Sequence, residues 1–147
     1  MTKTAVILMG IQASGKSTFC KTYLQNLVRI NLDTLRTRCR ERQLLEDCFE
    51  KGLSFAVDNT NPTKQDRERY ISAAKQHGYE IIGCFFQSKV QDCIARNRQR
   101  RGAAQVPDMA IAATSNKLEL PSLEEGFDKL YFVGLNETEF LIEEWRN

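Results

Sequence analysis

Thr4–Tyr23 reads TAVILMGIQASGKSTFCKTY. An apolar run of strand length leads into a loop with glycines at Gly10 and Gly15, and a helical pattern begins at Lys16. The loop GIQASGKS, residues 10–17, satisfies G-x-x-x-x-G-K-[ST] and lies between a strand and a helix, the context its mechanism requires. Successive backbone N–H groups and the helix N-terminus there form a nest for phosphate oxygens, and the two glycines permit the tight backbone path. Ala13, Ser14, Gly15 and Thr18 belong to the same cradle. Lys16 reaches for the β- and γ-phosphates, and the Ser17 hydroxyl is a ligand for Mg²⁺. The stretch predicts a bound nucleoside triphosphate. Hydrolysis, transfer and sensing share such a cradle, so the choice among them rests on other residues.

Outward from this stretch, strand-length apolar runs alternate with helical patterns along the chain, the signature of a parallel sheet with helices on both faces. The fold class is α/β: a P-loop kinase-type parallel sheet of five strands with an arginine-bearing lid over about residues 96–126. TAVILM, VRIN, LSFAVDN, EIIGCFF and DKLYFVGL read as the strands. KSTFCKTYLQNL, a charged stretch near Glu41–Lys51, NPTKQDRERYISAAKQHG with Pro62 in its first turn, SKVQDCIARNRQR capped by Ser88, and a closing ETEFLIEEWR read as helices. His77 before Gly78 reads as a helix C-cap, and Trp145 as core packing on the closing helix.

With 147 residues the chain fits one domain with a real core. Its 41% hydrophobic and 27% charged residues belong to the globular class, not to disordered or fibrous chains. A formal charge of +2 does not by itself call for nucleic acid or an anionic membrane, so local clusters carry that argument. No apolar run approaches the roughly 20 residues of a spanning helix, and the N-terminus runs straight into the loop motif, so the expectation is a cytoplasmic protein without a membrane partner. Self-association is not addressed by any pattern in the chain. The five cysteines, Cys20, Cys39, Cys48, Cys84 and Cys93, contain no CxxC pair and read as reduced, mostly buried residues.

The choice among transfer, hydrolysis and sensing turns on three clusters. Asp33 follows the second strand, and in a parallel sheet the C-terminal strand ends converge on the edge where the phosphate loop sits. A carboxylate there can orient an acceptor hydroxyl and take its proton; the alternative is a helix N-cap for TLRTRCRER. Arg36, one helical turn on, can grip an anion on the acceptor, or can be one solvated member of a run with Arg38, Arg40 and Arg42. Asp58, at the end of SFAVDN and followed by Asn59 and Thr60, fits a Walker-B-like role in the Mg²⁺ shell, or an Asx-turn before Pro62. CIARNRQRRG places Arg96, Arg98, Arg100 and Arg101 close together; Arg96 and Arg100, four apart, share a helical face and can stabilise a transferred phosphate, unless the cluster is a solvated helix end. NKLE at Asn116–Glu119 is a near match to the guanine-reading N-K-x-D but falls in a helical, lid-like segment and ends in Glu. One loop of this kind and no motor apparatus favour a small kinase.

These residues resemble the polynucleotide 5′-hydroxyl kinases of phage and bacterial end healing and the kinase module of the animal polynucleotide kinase–phosphatases. The resemblance rests on GIQASGKST, NLDTLR, VDNTNPT, RNRQRRGAAQVP and LELPSLEEGFDKLYFV, and runs through most of the chain. It implies an ATP- and Mg²⁺-dependent enzyme acting on 5′-hydroxyl ends of RNA or DNA. Asp33 is then the general base, Arg36 contacts an acceptor phosphate, and Lys16, Arg96 and Arg100 stabilise the transferred group. Ser17 and Mg²⁺ position the donor, and Asp58 and Thr60 line the substrate site. The lid carries one arginine more than the family pattern, which leaves Arg98, Arg100 and Arg101 as alternatives for the second lid position. No DxDxT motif is present, so the expected activity is a kinase without end-trimming. Kinases of small metabolites or sugar nucleotides share the cradle and the aspartate, and a regulatory nucleotide-binding module shares the cradle; these are the competing readings.

Overall fold

A parallel strand covered on both faces has no polar side to alternate with, which is why its sequence reads as an unbroken apolar run. In a computed structural model that describes residues 2–102, 105–135 and 139–145, β1 (Thr4–Met9) is that strand, buried from Ala5 to Met9. There follow α1 (Lys16–Tyr23), β2 (Val28–Ile30), α2 (Leu32–Leu35), α3 (Arg38–Lys51), β3 (Phe55–Asp58), α4 (Lys64–Gln76) and β4 (Glu80–Phe86). After these come α5 (Val90–Asn97), α6 (Asp108–Lys117), a 3-10 turn (Leu123–Glu125), β5 (Lys129–Leu135) and β6 (Phe140–Glu144).

The sheet order is β2-β3-β1-β4-β5-β6, parallel throughout except for β6, which runs antiparallel to β5. The chain builds one side of β1 through β2 and β3 and the other through β4 and β5. The crevice at the C-terminal strand ends beside β1 is therefore the switch point where α/β folds bind ligands. Ala5, Ile7 and Met9 face a core shared with Cys48 of α3 and Tyr70, Ile71 and Ala74 of α4. Val6 and Leu8 face Phe19 and Cys20 of α1 on the other side. A third cluster joins Ile11 and Ala13 of the phosphate loop to Cys93 of α5 and Ile111 of α6.

Among the described residues the sheet has six strands where five were expected, because Phe140–Glu144 of the stretch ETEFLIEEWR forms β6 and not a helix; residues 137, 138 and 146 of that stretch lie outside the described residues. Phe140 and Trp145 are five residues apart, an odd separation that sends them to opposite faces of a strand. Phe140 packs edge-on against Phe19 and Phe86, and Trp145 against Phe85 on the other face. A helix could not supply both cores at once. Several helix ends also differ from expectation. Lys64–Gln76 is capped by Thr63 in a capping box with Asp66, which leaves Pro62 ahead of the helix, while His77 is the C-cap as expected. Ser88 does not cap α5: its hydroxyl donates to the Phe86 carbonyl and accepts the Ile11 N–H, so it braces the phosphate loop instead. α1 stops at Tyr23 and α5 at Asn97.

Cys20, Cys48, Cys84 and Cys93 are buried and Cys39 is exposed. Burial pushes the Cys20 and Cys84 thiols up to about 12, far from the thiolate needed for reaction. Brief treatment of the native protein with iodoacetamide at pH 8 is expected to modify Cys39 alone, read as a single adduct in the intact mass. A second adduct forming at a similar rate would contradict this packing. Among the described residues no helix is long and apolar enough to cross a membrane.

Candidate active site

The loop between β1 and α1 adopts the path its glycines allow. Gly10 and Gly15 have φ of 153° and 103°, and a Cβ on Gly15 would come 3.0 Å from the Phe140 ring, so β6 closes down on the loop from behind. Gly15 caps α1 without a side-chain hydrogen bond, which leaves the first N–H groups of the helix for an anion. Lys16 is buried, and its Nζ donates to the carbonyls of Gly10 and Ile11, both at 2.8 Å, and to Ser14 Oγ at 3.2 Å. Burial lowers its pKa to about 8, against the opposing pull of Asp58. A phosphate anion arriving in the nest favours the charged ammonium.

β3 delivers the second element. Asp58, 2% exposed, accepts from Ser17 Oγ at 3.0 Å, and the Thr60 carbonyl two residues on accepts the Gly10 N–H at 3.0 Å. Ser17 and Asp58 thus present hard oxygen donors beside the nest, and Mg²⁺ characteristically takes one or two such protein oxygens and completes its octahedron with phosphate and water. Among the described residues no group of three or more His, Cys, Asp or Glu side chains could hold a metal ion.

Asp33 enters from the side. Asn31 caps α2, its Oδ1 accepting from the Thr34 N–H at 3.0 Å, while its Nδ2 donates to the Asp58 carbonyl at 2.6 Å. Asn59 Oδ1 accepts the Leu32 N–H at 2.9 Å. Two asparagines therefore clamp the start of α2 to the end of β3, and α2 carries Asp33 into a cleft of about 730 Å³ that Lys16, Ser17, Asp58 and Thr60 also line. The capping role that was the alternative for Asp33 belongs to Asn31 and, for α3, to Thr37. Arg36 is the C-cap of α2 with φ of 75°, exposed and outside the lining of the cleft, which includes Arg38 instead. A non-glycine residue in that conformation costs about 1–2 kcal/mol. Arg36→Gly is therefore expected to stabilise the fold by about 0.5–1 kcal/mol after the entropic penalty of glycine. The change would be seen as a higher urea midpoint at unchanged slope.

The arginines of the cluster at residues 96–101 take separate routes. Arg96 Nη1 donates to the Ala13 carbonyl at 2.7 Å, tying α5 to the phosphate loop. Because α5 ends at Asn97, Arg100 does not share a helical face with Arg96; it reaches the cleft from the following turn. That turn is closed by the buried Asn97 amide, which donates to the Val106 carbonyl at 2.6 Å and accepts the Val106 N–H at 3.0 Å. Arg98 pairs with Asp108 at the start of α6, and Arg101 is exposed. Gln12 donates to Thr114 Oγ1 at 3.0 Å, so α6 is also fastened to the phosphate loop.

Three groups in this region escaped the sequence reading. Arg29 of β2 bonds both Asp58 and Ser17. Buried Glu41 accepts from Arg38 and Tyr70 at 3.0 Å and from Asn59 at 3.2 Å, and so holds the asparagine that holds α2. Arg67, fully buried, joins Glu125 to the carbonyls of Asn61 and Pro62. For Arg29 a signal existed: a charge in the middle of a three-residue parallel strand is out of place unless it is paired.

A family model described as AAA domain matches residues 40–121. The bifunctional polynucleotide phosphatase/kinase of Schizosaccharomyces pombe is 30% identical over 129 residues, 83% of this chain and 31% of that protein. A putative bifunctional polynucleotide phosphatase/kinase of Acanthamoeba polyphaga mimivirus is 31% identical over 140 residues, 89% of this chain and 33% of that protein. The chain thus spans about a third of the length of these curated relatives. Among solved structures, Chaetomium thermophilum Kti12 in complex with ADP-AlF3 has the same fold, with a TM-score of 0.69 at 15% identity over 92% of this chain and 91% of that one.

Proposed function

We propose that this chain, which belongs to the AAA domain family, is an ATP- and Mg²⁺-dependent kinase that transfers the γ-phosphate to the 5′-hydroxyl of RNA or DNA. The observation that carries the reading is a single cleft lined by Lys16 and Ser17 of the phosphate loop, by Asp58 and by Asp33. A triphosphate seated in the nest points its γ-phosphate into that cleft, and an acceptor hydroxyl entering beside α2 meets a carboxylate before it meets the phosphorus. The similarity to bifunctional polynucleotide phosphatase/kinases over more than four-fifths of the chain supports a nucleic-acid acceptor.

In this mechanism the loop N–H groups and Lys16 hold the β- and γ-phosphates. Ser17 and Asp58 would hold Mg²⁺, which when bound offsets charge on the phosphate oxygens. Asp33 accepts a hydrogen bond from the 5′-hydroxyl, aligns its oxygen with the γ-phosphorus and takes the proton as the new P–O bond forms and the bond from the γ-phosphorus to the β,γ-bridging oxygen breaks, with ADP as the leaving group. Arg100, at the cleft, stabilises the equatorial oxygens, and Arg96 keeps the loop in shape through Ala13. Thr60 backs the loop, and the exposed Arg36 and Arg38 hold phosphates next to the reacting end. The buried thiols suit a reducing compartment such as the cytoplasm.

The test is transfer of labelled γ-phosphate from ATP to 5′-hydroxyl RNA and DNA oligonucleotides, beside nucleosides and sugars as small acceptors. Label on the oligonucleotide ends, falling steeply as salt weakens the phosphate contacts, is the expected result. ATP binding with label only on a small acceptor, or on none, would overturn it.

A further inference from the structure

Arg29 is the middle residue of β2, with Val28 and Ile30 turned to the core on the α3 side. Alternation turns Arg29 to the opposite face, opposite Ala56 of β3 in register. From there its guanidinium runs along β3 to the strand end. Nε donates to Asp58 Oδ2 at 2.8 Å, Nη2 lies 2.8 Å from the same oxygen, and Nη2 donates to Ser17 Oγ at 3.1 Å. Ser17 Oγ also donates to Asp58 Oδ2. The hydroxyl and carboxylate that suit Mg²⁺ are therefore bridged by a cation the chain carries itself.

We infer that Arg29 is a resident counter-cation of the metal site, competing with Mg²⁺ for Asp58 Oδ2 and Ser17 Oγ, so that loading of a metal–nucleotide complex requires the guanidinium to leave them. The inference rests on the reading that the site uses Mg²⁺ with its nucleotide. Two features make the competition consequential. Asp58 is almost completely buried, so it needs a positive partner whenever it is ionised, and the guanidinium supplies one. The Arg29 side chain is 32% exposed at the cleft wall, so it has room to withdraw without unpacking the core. A bridging guanidinium also places a positive charge near the nest, which favours a triphosphate bound without metal. Replacing Arg29 should then weaken metal-free nucleotide binding and strengthen metal-bound binding, two effects of opposite sign.

The experiment measures the Kd for ATP of wild type, Arg29→Gln and Arg29→Lys by calorimetry, in EDTA and in saturating Mg²⁺, without an acceptor. The ratio of the two constants reports how strongly metal helps binding; chelation of Mg²⁺ by ATP in solution is common to all three proteins and cancels. The ratio is expected to rise about tenfold or more in Arg29→Gln, equivalent to about 1.4 kcal/mol, and to stay near wild type in Arg29→Lys. An unchanged or smaller ratio in Arg29→Gln would mean that Arg29 orients Asp58 for the metal, and would overturn the inference. A second readout uses wild type alone. The Arg29 Nε–H resonance should shift and lose exchange protection with Mg²⁺·ADP but not with ADP in EDTA, and a resonance indifferent to the metal would overturn the inference too. Neither readout needs phosphoryl transfer. Failure to label an oligonucleotide with both results intact would remove the acceptor assignment and leave the competition standing.

Discussion

Asp33→Asn is expected to lower phosphoryl transfer to a 5′-hydroxyl oligonucleotide by about 10²–10⁴-fold while leaving the Kd for ATP within about twofold. The amide has nearly the shape of the carboxylate and can still meet the hydroxyl, but it cannot take the proton. The fold should tolerate the change. Asp33 is exposed, and the bonds that hold α2 in place are made by Asn31, Thr34, Leu32 and Asn59. The phosphate nest is built from the loop after β1, on the other wall of the cleft, so nucleotide affinity reports the integrity of the donor side separately. In single-turnover measurements the loss should fall on the chemical step and not on acceptor binding. Turnover close to wild type would remove Asp33 from the role of base.

β1 and β4 match their apolar runs residue for residue, because strands covered on both faces stay apolar past their first residues, Thr4 and Glu80. The phosphate loop was readable because its chemistry is local: eight consecutive residues make the nest. The placement of Asp33 and Asp58 at one cleft was readable because a parallel sheet sends its strand ends to one edge. The unread parts all depend on partners distant in sequence. Arg29 is explained by Asp58 and Ser17, Glu41 by Tyr70 and Asn59 besides nearby Arg38, and Arg67 by Glu125 besides the carbonyls it meets. Glu41 and Arg67 alone look like solvated charges, and only the place of Arg29 within a strand marks it as unusual. The closing segment was misread because its few apolar residues fit a helix period, whereas pairing with β5 and two separate aromatic contacts decide for a strand. The shared face of Arg96 and Arg100 was lost for a similar reason: the Asn97–Val106 bonds end the helix between them, and they come from nine residues away.

Arg67→Met should be the most destabilising single change of those considered, at about 3–5 kcal/mol in urea denaturation. The guanidinium is fully buried and makes two bonds to Glu125, at 3.1 and 2.9 Å, and others to the carbonyls of Asn61, Pro62 and Glu119. Methionine fills much of the space but leaves a buried carboxylate without its cation and three carbonyls without their donor. Adding Glu125→Gln should recover about 1–2 kcal/mol, because it removes the unpaired charge and leaves the carbonyls unsatisfied. The same variants test how this side chain serves the site. Arg67 links the segment after α6 to Asn61, whose Nδ2 donates to the Leu8 carbonyl at the end of β1, and the neighbouring Thr60 carbonyl holds Gly10. Arg67→Met is therefore expected to weaken ATP binding as well as stability, although the residue lies outside the lining of the cleft. If binding stays at wild-type strength in the folded variant, the staple serves stability alone and the phosphate loop keeps its shape through Ser88, Gln12 and Arg96.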